Sequence, residues 1–188
     1  MAESLIRRCR VRWLLGQVEH ALALVGLGTL VYFTCFNLSR VTTDSMAPTL
    51  RGSDRRTGDL VLTERVSLRF RQPRRWEVVA FYMEDGQQVM KRVVGLPGER
   101  VQIRRGGQIV IDGDEAAPPA SLGFLRYFPV AKVAQEKAVD CGDGYFVLGD
   151  DSRDSDDSRY NGPVPPGDVF GRAWLILSPK EHRGFVNP

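Results

Sequence analysis

A chain of 188 residues is long enough for one compact domain of ordinary size plus a short appendage. Apolar residues make up 43% of it and charged residues 26%, which is the balance of a globular protein and not of a disordered one. The formal net charge of +3 is too small to indicate nucleic-acid binding, so no nucleic acid is expected as a partner. The three cysteines predict neither a disulfide framework nor a metal site.

The first strong pattern is an uncharged apolar run over residues 21–38, which follows a basic segment, residues 1–20. The run is close to the roughly 18 or more residues that a bilayer-spanning helix needs. The arginines before it predict a cytoplasmic N-terminus by the positive-inside rule. A cleaved signal peptide and a buried core helix are the competing interpretations, but residues 36–40 make a poor cleavage site and a core helix usually keeps a polar face. The sequence therefore predicts an uncleaved transmembrane anchor, with residues 39–188 as a domain on the outer side.

Beyond the anchor, short strand patterns alternate with turns. Two hairpins are predicted, one with Asp85-Gly86 at its turn and one with Gly106-Gly107. The predicted strands are residues 59–63, 66–70, 77–83, 88–94, 101–103, 109–111, 145–148 and 169–177. Residues 113–142 are less regular and are expected to form a long surface connection. Many short strands with glycine-rich turns predict a mainly β fold, in which the transmembrane helix precedes an all-β barrel or sandwich.

The sequence around Ser45 and Lys91 indicates a candidate nucleophile and its general base. Ser45 lies just before the turn at Pro48, and Lys91 lies at the end of an apolar, strand-like run. A lysine there is partly desolvated, and desolvation favours the neutral amine, which can accept a proton from a serine hydroxyl. Such a pair needs no histidine, and neither of the two histidines of this chain is well placed for a triad.

A third block is the dense polar loop over residues 149–159, directly after the strand Phe146-Val147-Leu148. Together with the stretches around Ser45 and Lys91, this loop resembles the type I signal peptidases, or leader peptidases, which are membrane-anchored and release signal peptides from exported proteins. The matching stretches are Ser45-Met46-Ala47-Pro48-Thr49-Leu50, Lys91-Arg92-Val93-Val94-Gly95-Leu96-Pro97-Gly98, and the loop that begins Gly149-Asp150 and ends Asp157-Ser158-Arg159. Their order and the single anchor also fit, and the resemblance extends from the anchor to Pro179.

The resemblance implies a role for each matching residue. Ser45 is the nucleophile and Lys91 the general base, while Ser155 is expected to hold the Lys91 amine by a hydrogen bond. The Ser45 backbone N–H and the Thr43 hydroxyl are the expected oxyanion donors. A nearby ion pair, expected to shape the loop, is formed by Asp157 and Arg159.

The loop departs from the family pattern at residues 151–154, where Asp-Ser-Arg-Asp replaces the usual Asn-Arg-Asp-Asn. The extra acid changes the local charge, while alignment by the two ends of the block keeps Ser155 in register. The resemblance implies no metal and no organic cofactor. The expected partners are secretory preproteins with small-x-small cleavage sites, and membrane lipid.

Residues 65–76 combine apolar side chains with five arginines. Two interpretations stay open from the sequence. The stretch either rests on an anionic membrane surface or is an amphipathic strand with a solvated basic face.

The expected location is the bacterial cytoplasmic membrane, with one span and an extracytoplasmic catalytic domain. Two alternatives remain. The chain is a relative of the mitochondrial inner-membrane peptidase, or it is an inactive, membrane-tethered β domain that only binds exported proteins. The self-cleaving repressors of the DNA-damage response also use a Ser/Lys pair, but they are soluble, and the predicted anchor argues against them.

Overall fold

The structure is a computed structural model that describes residues 2–52, 57–128 and 137–186. It divides into two compact units, residues 1–36 and residues 37–188. The first unit is the helix α1, Ala2–Cys35. Its stretch Arg12–Cys35 is the one helix of the described chain that is long and apolar enough to cross a membrane.

The helix differs in extent from the predicted anchor. It includes the basic segment before residue 21, and it ends at Cys35, three residues before the predicted end. The backbone then enters the strand β1, Phe36–Arg40, which pairs with the strand β2, Leu60–Glu64. Sheet pairing thus replaces helical hydrogen bonds at a point where the residues remain uncharged.

The second unit is mainly β, as predicted. Its other strands are β3 (Val78–Tyr82), β4 (Gln88–Gly95), β5 (Arg100–Ile103), β6 (Ile109–Ile111), β7 (Asp114–Glu115), β8 (Val139–Asp140), β9 (Phe146–Leu148), β10 (Val169–Ser178) and β11 (Gly184–Phe185). A seven-stranded sheet has the order β1-β2-β10-β3-β4-β9, with β11 also paired to β10, and a four-stranded sheet has the order β7-β6-β5-β8. A short helix, α2 (Ser158–Asn161), follows β9.

Both predicted hairpins are confirmed. β3 pairs with β4 and β5 pairs with β6, each antiparallel. Gly86 and Gly107 have φ angles of 80° and 83°, a region that glycine enters without the penalty a Cβ would bring. Part of the predicted long connection, residues 129–136, lies outside the described residues.

The predicted strand over residues 66–70 is wrong. Ser67–Arg69 is a 3-10 turn, because the carboxylate of Glu64, at the end of β2, accepts both the backbone N–H and the hydroxyl of Ser67. Trp76, grouped in the sequence with the apolar residues of this stretch, is instead only 8% exposed and packs in a core with Val94 and Leu148. Alternation over five residues was too short to exclude a capped turn.

Candidate active site

Ser45 lies in a short 3-10 turn, Asp44–Met46, that is held by its apolar neighbours. Met46 and Leu50 are buried and pack against Val61 and Val78 of the seven-stranded sheet. Because Ser45 is within the first turn of this helix, its N–H has no acceptor inside the turn. The position of Ser45 is thus fixed by the core packing of the residues that follow it, while its N–H stays available.

Lys91 lies on β4, opposite Val79 of β3, with only 3% of its surface exposed. Its Nζ donates a hydrogen bond of 2.7 Å to Ser45 Oγ, although the two residues are 46 positions apart in the chain. Burial lowers the pKa of the Lys91 ammonium, and the negative charges of Asp157 and Asp156 oppose that effect only in part. The structure thus brings a desolvated amine into contact with a serine hydroxyl.

Thr43 lies beside the same hydroxyl. Its Oγ1 is 3.3 Å from Ser45 Oγ, and its side chain is exposed. In addition, the N–H of Asp151 donates to the Ser45 carbonyl at 3.1 Å, which ties the Ser45 turn to the polar loop after β9. Thr43 is therefore within reach of a group that is bound at Ser45.

Asp157 organises the polar loop. Its carboxylate forms an ion pair of 2.8 Å with Arg159 in which both side chains are at most 1% exposed. It also accepts the N–H of Gly149 at 3.0 Å and the Ser155 hydroxyl at 2.7 Å. The Arg159 guanidinium in turn donates to the carbonyl and the hydroxyl of Ser152. The expected pair is thus present and is buried at the centre of the loop.

The hydrogen bond expected between Ser155 and Lys91 is not formed in the described part of the chain. The Ser155 hydroxyl donates to Asp157 at 2.7 Å, which uses its proton but leaves its lone pairs able to accept from a charged amine. The lysine instead bonds to Ser45. Ser155 nevertheless lines the same groove as Lys91.

The sequence interpretation missed a buried polar cluster beside the site. Arg92, next to Lys91, forms an ion pair with Asp150 through two hydrogen bonds of 2.7 Å, and both side chains are 0% exposed. Thr49, from the Ser45 block, donates to Asp150 and accepts from Arg92. An arginine inside an apolar strand was the available signal, because a buried charge requires a partner.

The pair Ser45–Lys91 opens onto a groove of about 810 Å³. Its walls come from β1, β3, β4 and the polar loop, together with Phe170 at the start of β10. They include Ser39, Ala80, Met90 and Ser155. The described residues contain no group of three or more His, Cys, Asp or Glu side chains placed to hold a metal ion.

Comparisons with known proteins place this geometry in a family. The family described as "Signal peptidase, peptidase S26" matches residues 12–178. Signal peptidase I of Leptolyngbya laminosa is 31% identical over 79% of this chain and 71% of its own length. Probable signal peptidase I-2 of Synechocystis is 34% identical over 78% of this chain and 65% of its own length.

Two further proteins are similar. A mitochondrial ATP-independent inner membrane protease subunit of Arabidopsis thaliana is 31% identical over 77% of this chain and 71% of its own length. A solved signal peptidase I from Enterococcus faecalis is 31% identical over 57% of this chain and 98% of that chain, with a TM-score of 0.40. The family match covers most of the described chain, including Ser45, Lys91 and the polar loop. The chain therefore belongs to the signal peptidase family of peptidases, peptidase S26.

Proposed function

We propose that this chain is a membrane-anchored serine endopeptidase that removes signal peptides from exported preproteins. The observation that carries the proposal is the 2.7 Å contact between Lys91 Nζ and Ser45 Oγ at a groove. When the amine is neutral, the same contact lets the serine hydroxyl donate its proton to nitrogen, which is the arrangement of an activated nucleophile.

In the proposed reaction, Ser45 Oγ attacks the scissile carbonyl while its proton passes to Lys91. The negative charge that develops on the substrate oxygen is stabilised by the Ser45 N–H and the Thr43 hydroxyl. Lys91 then gives the proton to the leaving amine, and an ester joins Ser45 to the signal peptide. A water molecule, deprotonated by Lys91, breaks this ester and restores the free hydroxyl. No metal or organic cofactor enters any step.

The substrate class follows from the family and is supported by the groove. An extended peptide can lie along it and direct alternate side chains towards its walls, which fits recognition of small residues at alternating positions. Ala80, Met46 and Met90 line the groove, so its surface there is apolar. The proposed specificity is cleavage after a small-x-small sequence.

The proposed location is the bacterial cytoplasmic membrane, with α1 as a single anchor, a cytoplasmic N-terminus and an extracytoplasmic catalytic domain. The length and hydropathy of Arg12–Cys35 support the anchor. The arginines of the first helical turns support the orientation. Because one of the similar proteins is mitochondrial, an inner-membrane peptidase of mitochondria is the second candidate. The two candidates are separated by comparing cleavage of a bacterial secretory preprotein with cleavage of a mitochondrial preprotein.

The test is cleavage of a secretory preprotein in detergent by the full chain and its variants. We expect Ser45→Ala and Lys91→Ala to lose activity, and the wild type to cut after a small-x-small site, as read from the N-terminus of the product. Ser121→Ala and Lys180→Ala are the matched controls, since both residues are exposed and neither lines the groove. Full activity of Ser45→Ala would refute the assigned nucleophile, and no cleavage of several preproteins by the wild type would favour the inactive, tethered β domain.

A further inference from the structure

We propose that residues 65–75, the connection between β2 and β3, form a docking surface for the anionic headgroups of the bilayer that holds the anchor. We call these residues the basic connection. The inference rests on the proposed function, because it takes α1 as a membrane anchor and the groove as the place where a membrane-bound substrate is cut.

The composition and exposure of the basic connection fit a charged lipid surface. It contains no acidic residue and five arginines, which are Arg65, Arg69, Arg71, Arg74 and Arg75. Arg71 and Arg75 form ion pairs with acidic residues outside the segment, and Arg69 and Arg74 are exposed. Phe70 is 85% exposed, more than Phe33 of the helix α1 at 70%, and Val66 is 38% exposed. An exposed aromatic side chain among cations is typical of segments that lie in the headgroup region, where the ring enters the acyl boundary and the cations meet phosphate.

The basic connection is held in shape before any lipid binds. Glu64 accepts the N–H of Ser67 at 2.9 Å, and Glu77 accepts two hydrogen bonds from Arg71, at 2.7 and 2.9 Å. Arg172 of β10 bridges the two carboxylates. Burial by itself would raise the pKa of both carboxyls, but these hydrogen bonds outweigh it and lower the pKa. A segment already ordered at both ends loses little conformational entropy on docking.

The topology of the second unit brings the basic connection to the start of that unit. The Val41 N–H donates to the Asp59 carbonyl at 2.8 Å, so the end of β1 lies beside the start of β2. Since β1 and β2 pair, they must run antiparallel, and Asn37 lies towards the Glu64 end of β2. Asn37 is two positions after Cys35, the last residue of α1. Two residues span at most about 7 Å, so the proposed anchor is covalently attached to the second unit close to this end of β2.

The basic connection also touches the rim of the groove. The Arg65 guanidinium lies over the Phe170 ring, 5.2 Å from its centroid. Phe170 lines the groove and packs against Tyr82, with ring centroids 4.6 Å apart. Docking of the basic connection would thus set the height of the groove above the headgroups, where the cleavage site of a membrane-bound preprotein emerges.

The test measures the depth of position 70 in the full chain. Phe70→Cys is labelled with an environment-sensitive fluorophore, in a background where the native cysteines are replaced, and the protein is placed in nanodiscs. One set of nanodiscs contains only phosphatidylcholine, and a second set also contains phosphatidylglycerol. Each set is prepared with and without brominated acyl chains, which quench a fluorophore that enters the acyl region. Phe124→Cys, at an aromatic residue that is 47% exposed, is the matched label control.

The charge dependence is tested with Arg69→Gln plus Arg74→Gln, against Arg104→Gln plus Arg105→Gln. All four arginines are exposed, and the control pair lies in the turn between β5 and β6. An arginine near an anionic surface is worth about fivefold in binding, so removing two should weaken docking about 25-fold. We expect quenching at position 70 in the phosphatidylglycerol nanodiscs, and its loss in the first double variant alone.

Three results would overturn the proposal. They are a label at position 70 no more quenched than at position 124, equal quenching with and without phosphatidylglycerol, and equal effects of the two double variants. Cleavage of a soluble signal-peptide substrate in detergent separates this proposal from the proposed function. That activity should depend on Ser45 and be unchanged by the arginine variants. Docking can therefore fail while the peptidase assignment stands, and the peptidase assignment can fail while docking is observed.

Discussion

Replacing Asp150 by alanine should destabilise the catalytic domain more than the loss of an ordinary surface ion pair. The Arg92–Asp150 pair has two hydrogen bonds of 2.7 Å, and both side chains are 0% exposed. Removing the carboxylate leaves a buried guanidinium without its counter-charge, which costs about 3–5 kcal/mol. At roughly 2–4 °C per kcal/mol for a chain of this size, the melting temperature should fall by roughly 6–20 °C.

The assay is thermal unfolding of the full chain in detergent, followed by near-ultraviolet circular dichroism at one scan rate. Glu99→Gln is the matched control, because the Arg75–Glu99 pair is partly exposed, at 24% and 20%, and should contribute no more than about 1 kcal/mol. The double variant Arg92→Met plus Asp150→Leu should recover most of the loss, since it removes both charges together. The reasoning is refuted if Asp150→Ala melts no lower than Glu99→Gln.

Four other predictions concern the candidate site. Because burial lowers the pKa of Lys91, cleavage should rise with pH as the neutral amine forms, and a rate that peaks below neutral pH would contradict a lysine base. Between the folded and unfolded pKa values of Lys91, the unfolded chain binds more protons than the folded one, so the stability of the wild type should rise with pH in that window. Lys91→Met should therefore be more stable than the wild type near neutral pH, and the difference should shrink towards roughly pH 10. Denaturant unfolding at several pH values measures both effects. Thr43→Val should lower turnover by about 100- to 1000-fold with Thr43→Ser near wild type, and equal loss in both would remove the hydroxyl from the mechanism. Gly149→Ala should abolish cleavage, because a Cβ there would be 2.5 Å from the Ser45 carbonyl oxygen and nearer still to Ser155 Oγ; normal kinetics would show that the loop yields without moving Ser45.

The tertiary contacts also change the meaning of residues that were assigned from the resemblance. Ser155 was expected to bond to Lys91, but its hydroxyl turns to Asp157, at 2.7 Å. The position of Ser155 in the sequence could place it in the loop, but could not decide which neighbour its hydroxyl contacts. That choice depends on the buried Asp157–Arg159 pair, in which the carboxylate faces the hydroxyl.

What the sequence determined by itself is local. The uncharged run predicts a helix long enough for a bilayer, and Asp85-Gly86 and Gly106-Gly107 predict two hairpins, because helix hydropathy and turn geometry depend on residues that are close in the chain. The three ordered blocks also identify the family.

Only the tertiary structure decided which side chains meet. The contacts Lys91–Ser45 and Arg92–Asp150 join residues 46 and 58 positions apart, and no local pattern specifies such distances. In the same way, Glu64 converts a strand-like alternation into a 3-10 turn, since its carboxylate offers Ser67 a partner that a strand would not. The apolar run around Lys91 predicted a partly desolvated amine, and packing of the sheet against the loop completes the burial that lowers its pKa.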